Sequence, residues 1–167
     1  ANVADLSLGK EIHNRTNAHK KAIGILQTRV FKPTDVPTEI RQCLVDSAAT
    51  SKRLYAAETW PRLLPPQMEK VDLALFRAQA RVMSLPLANT EGIRLARDKV
   101  SAESAAPSAT DAIRSLRLSY ATRVILRAPD SLRVLLGTVG KSEGMFPALL
   151  REDVAWVDKH TCRNDTG

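Results

Sequence analysis

Aromatic residues are scarce in this chain, at 4% of 167 residues. A core without many rings must be built from aliphatic side chains, and here Ala and Leu supply it, which favours helices over strands. Cysteine is nearly absent. Cys43 and Cys162 lack metal-ligand spacing to one another, so idle reduced thiols are the simple reading, and a bridge between them would need an oxidising compartment. No apolar run approaches the ~18 residues of a membrane span. The opening ANVADLSLGK lacks the apolar stretch of a secretory signal. Histidine occurs only at His13, His19 and His160, never at ligand spacing, and no HExxH, CxxC, GxSxG or GxGxxG is found. Neither catalysis, a metal nor a cofactor is expected. The glycine-rich GTVGKSEG (137–144) lacks the Gly-Lys-Ser/Thr order and a preceding strand, which argues against a phosphate loop.

Positive charge is abundant. The net charge is +7 and the pI about 9.8, and Arg outnumbers Lys by 16 to 9. Such a balance leans towards polyanionic partners. Arginine suits phosphate, and it equally suits ion pairs between proteins.

Hydrophobic spacing and breakers divide the chain into an all-α protein, with a four-helix-bundle core, extra short helices and a flexible loop. Residues 1–16 are polar and are expected to form a loose arm, with room for a helical turn around Leu6–Ile12. A single bundle domain is expected over 17–159, followed by a loose tail over 160–167. Within it, Ala22, Ile25, Leu26 and Val30 stripe a first helix from about Asn17 to Phe31. Thr34-Asp35, Pro37 and Glu39 signal the start of a second, whose broad inner face would hold Ile40, Leu44, Ala48 and Tyr55, with Cys43 and Val45 beside them. Trp60 to Pro66 forms a stiff corner.

The third helix, about Pro66 to Ser84, carries two apolar stripes, one through Met68, Val71, Leu75, Ala78 and Val82, the other through Leu73, Phe76, Ala80 and Met83. Apolar over much of its girth, it should be sandwiched. Lys70, Arg77 and Arg81 project from one remaining side, within roughly 40° of one another. They form either a solvated face or a strip for nucleic acid or an acidic neighbour.

Two basic helical arms follow, joined by the small, polar SAESAAPSAT (101–110), which is expected to be a flexible hinge. Thr90 should cap the first arm, which carries Arg94, Arg97 and Lys99. Thr110 should cap the second, which carries Arg114, Arg117, Arg123 and Arg127. On a helical wheel Arg114 and Arg117 point one way and Arg123 and Arg127 nearly the opposite way. From 94 to 133 eight Lys/Arg face four Asp/Glu, so about half the cations lack an acid within the segment. A row of cations can neutralise successive phosphates and release counterions. Arg94, Arg97, Lys99, Arg114 and Arg117 are the candidate nucleic-acid contacts. With only Tyr120 available for stacking, backbone-led, sequence-tolerant binding is expected. The alternative is ion pairing of these arginines between helices or subunits. A short helix after Asp130 and a last apolar segment, Met145 to about Lys159, complete the chain.

The order of these parts resembles the coat proteins of rod-shaped plant RNA viruses, the tobacco mosaic type. Thr90-Glu91 with Ile93-Arg94-Leu95-Ala96-Arg97-Asp98-Lys99-Val100 is similar to the family's Thr/Glu-led helix with a basic pair and an acid. Ala112-Ile113-Arg114-Ser115 is similar to the opening of its long last bundle helix. SAESAAPSAT resembles the inner-channel insertion of some relatives, and Phe146, Leu150 and Trp156 its closing aromatic–Leu–Trp segment. Phe146-Pro147 stands where the family usually has Phe-Glu. The resemblance implies a structural capsid subunit of virion and host cytoplasm that self-assembles into a helical virion around single-stranded RNA, with many copies of itself and no membrane as partners. The alternative is a helical accessory subunit of a large ribonucleoprotein or mitochondrial complex.

Overall fold

The structure is a computed structural model that describes residues 3–32, 35–87, 89–104, 106–131, 134 and 145–161. The GTVGKSEG segment, Thr34, Cys162 and nearly all of the short helix expected after Asp130 lie outside the described residues. Among the described residues the fold is all-α. Where length suggests one domain over 17–159, the chain divides into two compact units, residues 1–55 with 64–109, and residues 56–63 with 110–167.

In the first unit α1 spans Val3–Leu26 and continues as a π-helical turn, Gln27–Phe31. This corrects the loose arm expected over 1–16. The segment is polar on most sides, but Ile12 is buried within the fold. One anchoring side chain per few turns is too sparse to show as periodicity. Further along, Ala22, Ile23, Leu26 and Val30 enter the core, whereas Ile25 is exposed.

α2 is Thr38–Val45, starting just after Pro37 rather than around it. A π-helical turn, Asp46–Thr50, leads into the short α3, Ser51–Leu54. A π turn accommodates one extra residue and rotates the helix beyond it. Val45 and Ala49 are fully buried, while Ile40, Cys43 and Tyr55, expected inside, are exposed, Tyr55 because it follows the end of α3 with ψ 127°. The Tyr55 ring instead receives the Arg15 guanidinium on its face at 4.7 Å.

α4, Pro65–Val82, begins on two prolines, and Gln67 Oε1 accepts the Leu64 N–H at 2.9 Å. Its first stripe is inside as expected, with Val71, Ala78 and Val82 buried, and Ala80 of the second stripe joins them. Helix α4 ends with Ser84 in the left-handed region, φ 56°, while the Leu85 N–H reaches the Ala80 carbonyl at 2.8 Å. Arg41 of α2 donates to Ser84 Oγ at 2.7 Å and ties α2 to that end. The core of this unit lies where α1 packs on α4 and on the α2–α3 helix.

α5 is Thr90–Glu103. Its cap is Asn89, whose Oδ1 accepts the Gly92 N–H at 2.7 Å, and not Thr90. Gly92 is required here, because a Cβ would lie 2.9 Å from Asn89 Oδ1 and 3.3 Å from the Pro86 carbonyl oxygen. Three residues of the expected hinge, Ser101 to Glu103, are helical, and α6 begins at Ala109, so the connection is far shorter than 101–110.

In the second unit a 3-10 turn, Ala57–Thr59, precedes a buried Trp60. α6 is Ala109–Arg127 and α7 is Met145–Thr161. Ile113 and Leu149 are buried, and Tyr120 meets Phe146 edge-on at 6.3 Å between ring centres.

Candidate nucleic-acid interface

The five cations expected to meet phosphate fall in different units, Arg94, Arg97 and Lys99 in the first and Arg114 and Arg117 in the second. Each set is therefore described by itself.

On α5 all three cations are exposed. Helical spacing of three and four residues brings acids to their side. Arg94 grips Glu91, with Nη2–Oε1 at 2.7 Å and Nε–Oε2 at 3.2 Å, and lies 3.8 Å from Asp98. The hydrogen bond from Arg94 holds Glu91 below the usual carboxylate range. Reciprocally, Glu91 and then the Asp98 charge raise Arg94. Lys99 stands 4.0 Å from Glu103. Arg97 lies over the Phe76 ring at 5.3 Å. Along α5 the three cations are equalled in number by three acids, Glu91, Asp98 and Glu103, so the helix is neutral, although only Arg94 and Lys99 pair with them. These pairs are exposed, so solvent screens them and they exchange readily for another anion.

On α6 the arrangement is different and corrects the expectation for Arg117. Its side chain is buried, and its guanidinium forks onto Asp153 of α7, Nε–Oδ2 at 2.6 Å and Nη2–Oδ1 at 3.0 Å. Asp153 is only 2% exposed. Arg114 shares the same carboxylate at 3.4 Å, lies 3.5 Å from Asp111, and covers the Trp156 ring at 5.1 Å. These arginines join α6 to α7, and the Arg117 guanidinium is turned into the fold towards Asp153. The physical reason is distance along the chain. Asp153 lies 36 residues beyond Arg117, so no count of acids inside the arm could find it. Arg123 and Arg127, on the opposite side of α6, remain exposed. Two large apolar side chains stand with them, Ile125 at 61% and Leu126 at 69% exposure.

A basic constellation that the arms do not include lies in the first unit. Lys70, Arg77 and Arg81 of α4, set to one side of their helix by spacing, face a groove that α1 closes with His13, His19 and Lys20. His19 is buried there and donates through Nδ1 to the Ala49 carbonyl at 3.1 Å. Burial holds its pKa below the usual value, and the charges of Arg53 and Arg81 push the same way. The half of this cluster on α4 was legible as a spaced strip, whereas Lys20 and the histidines, on a helix read as partly loose, carried no signal.

Among the described residues no cluster of three or more His, Cys, Asp or Glu is placed to hold a metal ion, and no helix is long and apolar enough to cross a membrane. Comparison with protein-family models, with curated proteins and with solved structures finds no match for this chain.

Proposed function

We propose that this chain is a structural, non-catalytic subunit that holds single-stranded RNA by its backbone and packs against copies of itself, as a coat protein of a helical virion. The observation that carries the reading is the C-terminal half of α6, where exposed Ile125 and Leu126 stand in one turn with exposed Arg123 and Arg127. Two large apolar side chains left in water on one helical turn call for a covering surface, and the cations around them suit one that includes phosphate or carboxylate. Arg94, Arg97 and Lys99 on α5 support the RNA part, because all three are exposed and the ion pairs of Arg94 and Lys99 can be traded for phosphates. The four-helix-bundle core, and a place in virion and host cytoplasm, belong to the same proposal.

The test is the assembly state. Purified protein should form rings or rods in negative stain, dependent on salt, and Leu126→Asp should leave it monomeric in light scattering. A monomer at every concentration, with and without RNA, overturns the coat reading. One observation favours the alternative of an accessory subunit in a large ribonucleoprotein, namely the one-for-one match of cations and acids along α5, which suits a protein neighbour better than a polyanion.

A further inference from the structure

The groove between α1 and α4 encloses about 540 Å³. Lys20, Lys70, Arg77 and Arg81 stand in its walls with two histidines, and its lining contains no carboxylate. Unlike Arg94 and Lys99 of α5, none of these four is paired with an acid among the described residues. Behind the α1 wall a further positive charge is sealed in. Arg53 is fully buried, and its Nη1 donates to the Ile12 carbonyl at 3.0 Å and to Thr16 Oγ1, both on groove-lining residues. Its Nε and Nη2 have no partner. Cations gathered this way repel one another and focus a positive potential into the cleft between low-dielectric walls. Folding alone gains nothing from that arrangement, whereas an anion in the groove would relieve it.

Two glycines point the same way. Gly9 and Gly24 are interior to α1, where glycine weakens a helix relative to alanine. A Cβ at either would meet nothing within 4 Å, so no packing inside the chain requires them. Both line the groove. Bare backbone there leaves room for close approach by a ligand.

The dimensions select the ligand class. From Lys70 to Arg81 the cations extend along roughly 16 Å of helix axis at 1.5 Å per residue. A lone phosphate would meet one or two of them, while a chain of phosphates can meet all. No Phe, Tyr or Trp lines the groove and the His19 ring is buried, so the groove offers no row of stacking platforms for bases. Ile12, Ile23 and Ala78 are buried in the helix packing, which leaves Leu73 and Ala74 as the half-buried apolar side chains of the lining, fewer anchors than the i, i+3, i+4, i+7 set an amphipathic acidic helix would use.

We infer that the α1–α4 groove binds the phosphate backbone of a single-stranded nucleic acid, with Lys20, Lys70, Arg77 and Arg81 as its phosphate contacts. The ligand class rests on the RNA-binding reading above, and the inference moves the principal grip from α5 to another surface of the same unit. Sequence tolerance and steep salt dependence are expected of a site that touches phosphates and not bases.

The test uses the full chain and a labelled oligouridylate of about 12 nucleotides, a length within the range that single-strand grooves cover, titrated by fluorescence anisotropy over a range of salt. Lys70 and Arg77 are exposed, so Lys70→Gln with Arg77→Gln should leave the helical circular dichroism unchanged. The log–log salt slope should fall by about 1.4, from two lost single-strand phosphate contacts of about 0.7 each. Arg94→Gln with Lys99→Gln on α5 should keep the slope. The reverse pattern, with the α5 pair carrying the loss, overturns the groove assignment while RNA binding stands. No RNA binding by the unaltered chain at about 50 mM salt overturns it too, and light scattering of the same sample without RNA then judges self-assembly separately. Groove-dependent binding of oligoglutamate in preference to the oligouridylate would assign the site to an acidic protein partner instead.

Discussion

Replacing Asp153 by alanine should strip the second unit of its main buried polar link. Asp153 receives three contacts, two from Arg117 and one from Arg114, and is all but inaccessible to water. Its removal leaves the Arg117 guanidinium in a low-dielectric site with no counter-charge. Breaking a buried pair from one side costs about 3–5 kcal/mol. With an m-value of about 2 kcal/mol/M for a small unit in urea, the transition midpoint should fall by roughly 2 M. The readout can be specific, because both tryptophans of the chain, Trp60 and Trp156, belong to the second unit. Tryptophan fluorescence in urea therefore follows that unit alone. Two controls bracket the result. Glu152→Ala, which removes the exposed partner of Arg62, should cost about 0–1 kcal/mol, since water already screens that pair. The double change Asp153→Leu with Arg117→Met should recover most of the loss, because an apolar pair of similar volume avoids the desolvation of both ions. A midpoint for Asp153→Ala within about 0.5 M of the parent would refute the claim that this carboxylate anchors α6 to α7.

The first unit offers two further predictions. Burial pulls the Arg53 pKa well below the usual guanidinium range, down to about 10, an unfavourable contribution of about 3 kcal/mol at 1.36 kcal/mol per unit. The charged hydrogen bonds to Ile12 and Thr16 offset about 1.5–3 kcal/mol of that. Arg53→Met should thus change stability by only about 0–2 kcal/mol in the favourable direction, whereas Arg53→Ala should lose about 2–5 kcal/mol by opening a cavity. Urea unfolding followed by far-ultraviolet circular dichroism checks both. His19 has a lowered pKa, so below about 6.5 the unfolded chain binds the proton more readily. Stability contributed by neutral His19 is complete above that pH and is lost as pH falls through the folded pKa. His19→Gln should flatten this acid limb between pH 7 and 5, and an unchanged limb would show that another group governs it.

Much of the helix plan could be read along the chain. The twin stripes of α4, the proline-marked ends and the opposed arginine pairs of α6 all arise from local spacing, and each has its counterpart in the structure. The first fourteen helical residues of α1 could not be read so. Their anchors, Ile12 and the Arg53 contact, are isolated points whose partners lie about 40 residues away. Tyr55 was misjudged for a different reason, since α3 ends at Leu54 and Tyr55 leaves helical geometry at ψ 127°, so a helical wheel carried past that end misplaces it.

Composition and periodicity alone determined that the chain is helical, basic and poor in rings, because these properties depend on residue type and near-neighbour spacing. Only tertiary packing decided what each cation faces. It set Arg117 on a buried carboxylate of α7, left α5 balanced by its own acids, and brought Lys20 opposite Lys70 and Arg77 with no acid between them. A helical wheel gives the direction in which a side chain points; the group waiting there is supplied by another helix, and its charge determines whether the residue is satisfied or available.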